Sequence, residues 1–253
     1  MKTIIKLAVF SLAMLTGWSP LPCAAQTSAT ASALLKANEF YKEKNYAQAE
    51  ILYQGLIDNG FQNGHLYYNL GNTHIRLGNT GKAILNYLRA QKFLPRDQDL
   101  QANLKYALQD TVDLIEWKRP GLLATFLFWT DDFNLTEHIQ ALVAINLLFW
   151  LSMCAWLYRR NATLDLIRKT MLAILLLIVV STMVKWNLAT SHKYGVVLAK
   201  KIDVKSGMDN NNVTLFQLHA GAVVSIEKED AGWFKIKLND GKSGWAKKNA
   251  IGA

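Results

Sequence analysis

An uncharged apolar run from Ile139 to Tyr158 (IQALVAINLLFWLSMCAWLY) constrains the fold of this chain more than any other feature. As a helix it reaches about 30 Å, the thickness of a bilayer core, and it has no polar face to turn toward water. A second apolar run, Met171 to Val184, is distinctly shorter. It spans only roughly 21 Å and depends on Arg168, Lys169, Lys185 and Trp186 to extend it, their stems among acyl chains and their polar ends at the interface. The expected transmembrane helices are therefore 139–158 and 168–187. Between Arg159 and Lys169 four cations stand against one acid, which sets the 159–167 loop in the cytoplasm. Met1 to Ala25 has the parts of a secretory signal: Lys2 and Lys6, an apolar run from Leu7 to Leu15, and small residues before Gln26. Cleavage is expected after Ala25, because Pro22 stands where a lipoprotein site needs a small residue before Cys23. An exported start and one inward crossing agree with the charge of the loop, so both flanking segments are expected outside. Gln140, Asn146, Ser181 and Thr182 are the polar members of the spans and are expected to bond across the hairpin or to a partner helix. Without charge at mid-depth, no conduction pathway is expected.

A formal charge of +9 raises the question of nucleic acid, but its distribution answers against it. From Gln26 to Ile115 nine basic residues nearly balance eight acidic ones, and from Lys185 onward eleven lysines face six acids. The rest of the surplus sits in the signal segment and beside the membrane, so topology and a basic β segment account for the charge.

The soluble segment before the spans carries an internal period. Ala37, Phe40, Tyr46, Ala49 and Tyr53 recur at one fixed interval as Gly71, His74, Thr80, Ala83 and Tyr87. Small residues at Ala37, Ala49, Gly71, Ala83 and Ala90 let antiparallel helices approach, the tyrosines fill the space between pairs, and Pro95 ends a helix. The interval and the second copy, Gly64 to Arg96, resemble the tetratricopeptide (TPR) repeat family, the copy through Tyr67, Leu70-Gly71, Ala83, Tyr87, Ala90 and Pro95. Asp97 or Asp99 can cap a further helix, Leu100 to Leu114, and the whole unit is expected over 30–115. The resemblance implies a peptide groove lined by the first helix of each pair, with Asn38, Lys42, Asn69, Asn72 and Arg76 facing it. Asn38 and Asn69 match the two asparagines of carboxylate-clamp members, whereas Leu34, Asp99 and Asn103 stand where those members have cations.

Residues 116–138 form a juxtamembrane link, in which Leu122 to Trp129 (LLATFLFW) is too short to span and is expected at headgroup level or against the last repeat helix. From Tyr194 the pattern is all-β. Phe234, Ile236 and Leu238 alternate with Lys235 and Lys237, and Asn239-Asp240-Gly241 turns the chain into Ser243-Gly244-Trp245. Together with Val196-Val197, Val204 to Gly207, Leu215-Phe216, Leu218 to Gly221 and Val223-Val224, these residues resemble a bacterial SH3-type domain over 193–253. Trp233 and Trp245 are its candidate contact residues. Ala246-Lys247 stands where polyproline-binding relatives have an aliphatic residue and a proline, so the resemblance does not extend to that ligand.

No catalytic constellation is present in the sequence. His65, His74, His138, His192 and His219 have no metal-ligand spacing, Cys154 has no partner after signal cleavage, and no phosphate loop, GxSxG or HExxH occurs. Neither an enzyme nor a cofactor is expected. The expected fold class is multidomain: a TPR solenoid, a transmembrane α-hairpin and a small SH3-like barrel. That order, with the stretch PRDQDLQANLKYALQD (Pro95 to Asp110), resembles the BatE-type family of the aerotolerance operon. The resemblance implies a bacterial inner-membrane scaffold with its soluble parts in the periplasm, working beside von Willebrand factor A-domain membrane proteins and a MoxR-type ATPase in envelope stress tolerance. The alternative is a peptidoglycan-binding anchor that uses the SH3-type domain.

Overall fold

The structure, a computed structural model, describes residues 24–113, 129–191 and 193–253. The expected signal segment up to Cys23, and residues 116–128 of the juxtamembrane link, lie outside the described residues. The described chain falls into two units, one comprising residues 129–189 and the other the segments before and after them.

In the larger unit, side-chain caps set where helices begin. Asn45 accepts from the Gln48 N–H, Asn63 from that of His65 and Asp97 from that of Leu100, each satisfying one of the donors a helix start leaves unpaired. The helices are α1 (Ala24–Lys42), α2 (Tyr46–Asp58), α3 (Gly64–Arg76), α4 (Thr80–Gln91) and α5 (Gln98–Gln109). The chain reverses between α1 and α2 at Lys44 (φ 63°) and between α3 and α4 at Gly78 (φ 73°), so the sequence period reaches the backbone itself. Two helical hairpins and a closing helix result. Ala37, Ala49, Tyr53, Leu56, Leu66 and Leu70 form the first core, and Ala83, Ile84, Tyr87, Ala90, Leu100 and Leu104 belong to the second. The Tyr87 ring lies directly on Gly71.

The second core does not stop at the helices. It also contains Val196 and Val223, which belong to a seven-stranded antiparallel sheet of order β3-β2-β6-β5-β4-β1-β7. Its strands are β1 (Lys193–Val197), β2 (Lys201–Lys205), β3 (Thr214–His219), β4 (Val223–Asp230), β5 (Trp233–Lys237), β6 (Ser243–Lys247) and β7 (Ile251–Gly252). Alternation places Phe234 and Ile236 of β5 inside with Val204, Val224 and Ala246, while Trp233 and Lys235 face outward. The β5–β6 connection closes with the Leu238 N–H donating to the Lys242 carbonyl over 2.8 Å, Gly241 lying at φ 92°.

Two glycines bring helix and sheet together. A Cβ on Gly81 of α4 would stand 2.5 Å from the Val197 carbonyl oxygen, so only glycine admits this approach. Gly221 (φ 91°), in the β3–β4 turn, would drive a Cβ to 2.4 Å from Thr111 and 3.0 Å from Ile84. Polar contacts border the apolar seam. The Asp113 carboxylate accepts from the His219 main-chain N–H at 2.6 Å, with the His219 ring beside it, and Arg89 donates to the Ala253 carbonyl oxygen at 2.7 Å.

The smaller unit contains α6 (Trp129–Asp132), α7 (Leu135–Tyr158) and α8 (Ala162–Ser191). Two of its stretches, Leu135–Tyr158 and Ala162–Leu188, are long and apolar enough to cross a membrane, and hardly any of their surface is buried within the protein. The first begins at Leu135, ahead of the uncharged run, because Asn134 and Glu137 form a capping box, each side chain bonding the other's main-chain N–H. The second begins at Ala162, well before the start at Arg168 that hydropathy suggests. Asn161 caps it through the Leu164 N–H at 2.8 Å, and Asp165 pairs with Arg168 (2.5 Å) and Lys169 (2.7 Å) within the first turns. The expected loop of 159–167 contracts accordingly to Arg159–Asn161, and the second helix has ample length. Ser181 accepts from the Trp129 indole at 2.9 Å, and the Lys185 ammonium donates to the Thr130 carbonyl at 2.5 Å, so α6 packs on α8. Thr182 instead bonds within its own helix, to the Ile178 carbonyl.

The seam of the larger unit can be tested at Gly81. Helix propensity alone favours Ala over Gly by up to about 1 kcal/mol. Gly81→Ala is nevertheless expected to destabilise by about 1–3 kcal/mol through overpacking, and to split one cooperative unfolding transition into two, as followed by calorimetry. A second expectation concerns His74, which is 2% exposed with its Nδ1 3.7 Å from Glu50. Burial pushes its pKa down to about 4, the Glu50 carboxylate opposing and Lys82 adding to the shift. The unfolded histidine binds its proton near pH 6.5. Stability present above that pH is therefore lost as pH falls toward 4, by an amount on the order of 3 kcal/mol, and levels off below. Denaturant titrations across pH should show this slope, and His74→Phe, the residue type at the preceding repeat position (Phe40), should flatten it.

Candidate functional site

A groove lies along the first hairpin, lined by Leu35, Asn38, Tyr41, Lys42, Tyr53 and Asn69 among others. Its floor is a hydrogen-bonded lattice. The Asn38 Oδ1 accepts from the Tyr53 hydroxyl at 2.6 Å and from the Asn69 Nδ2 at 3.2 Å. One period later the Asn72 Oδ1 accepts from the Tyr87 hydroxyl at 2.7 Å and from the Asn103 Nδ2 at 3.1 Å. Asn103 also donates to the Tyr68 hydroxyl at 2.9 Å.

This lattice gives the asparagines two tasks. Their oxygens satisfy tyrosine hydroxyls whose rings are 1% exposed, a requirement set by the cost of a buried unpaired hydroxyl. The Nδ2 groups of Asn38 and Asn72 have no acceptor among the described residues, and remain as donors. Burial, helped by Tyr41 and opposed by the bond to Asn69, pushes the Tyr53 phenol up to about 12, and burial likewise raises that of Tyr87. The neighbouring tyrosines, Tyr41 first among them, hold the pKa of the Arg76 guanidinium above its already high ordinary value, and Tyr41 meets the Tyr46 ring edge-on at 5.3 Å. Lys42 stands on the groove wall beside Tyr41.

Of the five sequence candidates, Asn38, Lys42 and Asn69 line the groove, Asn72 sits in the equivalent hydrogen-bonded cluster one period along, and Arg76 is not among the residues lining the groove. Asn103, Tyr41 and Tyr68 are not among those candidates. A signal for Asn103 is present in the sequence, since it follows Asn69 at the same interval as Asn72 follows Asn38. The barrel packs against α4 and leaves the groove on α1 and α3 uncovered.

On the sheet, Trp233 lies opposite Lys247 and Lys235 opposite Trp245, so both indoles stand on the outer face of β5 and β6, each half-buried. They do not share one depression. Trp233 lines a shallow groove with Asn210, Gly232, Lys247, Lys248 and Asn249, and the Lys247 ammonium lies 5.9 Å from its ring centre. Trp245 lies toward β2, opposite Lys205. Lys248 is engaged by Glu229, while Lys235 and Lys237 flank Glu227 at 3.3 and 3.6 Å. Among the described residues no group of three or more histidine, cysteine, aspartate or glutamate side chains is placed to hold a metal.

Replacing Asn38 by Ala removes the acceptor of a buried hydroxyl and is expected to cost about 1–3 kcal/mol in chemical denaturation. Tyr53→Phe, which removes the hydroxyl itself, should cost less than Asn38→Ala.

Comparison with curated proteins finds no match to the chain. Residues 208–252, from the β2–β3 connection through β7, match the bacterial SH3 domain family, and the sheet of the larger unit is a domain of that type.

Proposed function

We propose that this protein is a two-pass membrane scaffold that holds a TPR groove and an SH3-type barrel, as one packed unit, on the extracytoplasmic side, where the groove takes an extended segment of a protein partner. The carrying observation is the periodic asparagine–tyrosine pairing, which leaves the Asn38 amide as a donor in a groove lined also by Lys36, Glu39 and Lys42 and repeats the arrangement at Asn72, with Arg76 proposed as a further cation nearby. Amide donors at a regular interval suit the main chain of an extended peptide, and the cations suit acidic side chains or a terminal carboxylate. The proposed orientation follows the cation-rich turn and the export signal. Helices before residue 114 and strands after residue 192 share one core, so they occupy one side of any membrane the hairpin crosses. The resemblance to BatE-type proteins supplies the proposed partners, von Willebrand factor A-domain proteins and a MoxR-type ATPase system, and an adaptor rather than catalytic role.

A second reading rests on the SH3 family match and the Trp233 groove: the barrel binds peptidoglycan. Under the first reading, the double substitution Lys42→Glu/Arg76→Glu lowers recovery of crosslinked partner proteins from intact cells by about tenfold, the effect of losing contacts worth roughly 1.4 kcal/mol, while Trp233→Ala leaves it unchanged. Undiminished recovery from the double variant removes the groove from the argument. The second reading requires the detergent-solubilised full chain to sediment with purified peptidoglycan and Trp233→Ala to abolish sedimentation.

A further inference from the structure

The turn between the two apolar helices carries more charge than the fold consumes. Arg159 and Arg160 close α7, Arg168 and Lys169 lie in the first turns of α8, and Asp165 is the one acid among them. That acid already holds both Arg168 and Lys169. The partial charges of the two helix ends that meet here, about half an electron each and opposite in sign, cancel. Close to three positive charges remain, and neither Arg159 nor Arg160 has an acidic partner among the described residues.

Two of these cations share an aromatic ring. The Arg168 guanidinium lies 4.2 Å from the centre of the Trp156 ring and that of Arg160 lies 6.0 Å from the same centre. Asp165 takes one end of the Arg168 fork and the Met153 sulfur lies 4.0 Å from the other, so Arg168 contributes its charge beside the ring while the forks of Arg159 and Arg160 carry no acidic partner among the described residues. A half-buried tryptophan at the end of an apolar helix marks headgroup depth, so the guanidiniums stand at the level of lipid phosphates. Immediately beyond, Leu148 and Leu151 of α7 and Leu172 and Leu176 of α8 are exposed and offer a surface for acyl chains.

We propose that Arg160 and Arg168, which meet over Trp156, and Arg159, which caps the end of α7, bind the phosphate of an anionic membrane phospholipid whose chains lie along the hairpin. A planar guanidinium engages phosphate oxygens through two parallel N–H donors, and stacking on an indole holds it in the plane required. The proposal rests on the hairpin residing in a bilayer.

The test uses the full chain reconstituted into phosphatidylcholine nanodiscs, with phosphatidylglycerol as a minor component. Co-purification in the disc fraction reports membrane residence, and native mass spectrometry of the released protein reports which lipid stays bound. Retention of phosphatidylglycerol over phosphatidylcholine is expected. Arg159→Gln/Arg160→Gln should reduce that preference by about fivefold for each arginine removed, with disc incorporation unchanged. Arg159→Lys/Arg160→Lys keeps the charge but not the fork and should recover only part of it. Equal retention of both lipids by the wild-type chain, or a full preference in either double variant, overturns the site. Failure to enter discs at all would instead overturn the membrane reading beneath it.

Discussion

The architecture depends on the approach of α4 to the sheet at Gly81. With no side chain there, the Val197 carbonyl comes close enough for Val196 and Val223 to enter the core built by Ala83, Ile84 and Tyr87. Burying an aliphatic side chain of this size is worth about 1.5–3 kcal/mol, so two valines give the seam a stability comparable to a substantial part of a domain's own margin. Helices and strands that the sequence presents as separate domains are thereby parts of one unit. Because the seam uses α4, the second helix of its pair, the barrel does not occupy the groove on α1 and α3.

Much of this was legible in the chain. Tyr53 and Tyr87 announce the helical period because each must fill the space between stacked helices, and Phe234, Ile236 and Lys235 announce a strand by facing opposite sides. The length of α8 was less visible. Hydropathy counts Arg168 and Lys169 as the end of an apolar run, whereas their pairing with Asp165 and the Asn161 cap let the helix begin at Ala162. Local polar bonds decided the boundary, and a hydropathy window does not register them.

The seam between helices and barrel was not legible at all, for a definite reason. Gly81 reads as an ordinary residue near a helix start and Gly221 as a turn former; what they admit is another part of the backbone far along the chain. Asn103 illustrates a different kind of blindness. Compared with clamp-forming TPR proteins it counts as a missing cation, yet in its own chain it supplies the second donor to Asn72. Comparison with a family directs attention to what is absent, and the internal period shows what replaced it.

The bond from Arg89 to Ala253 joins residues 164 positions apart, and the hairpin lies between them. On a ribosome the helices emerge first, then the apolar segments, and the strands that complete the Ile84 core are made last. Until Val223 has been synthesised and brought back to α4, that hydrophobic surface has nothing to cover it. Such an order makes the closed core a record of a chain carried past both apolar helices: one arrested midway shows an uncovered apolar face to chaperones and proteases.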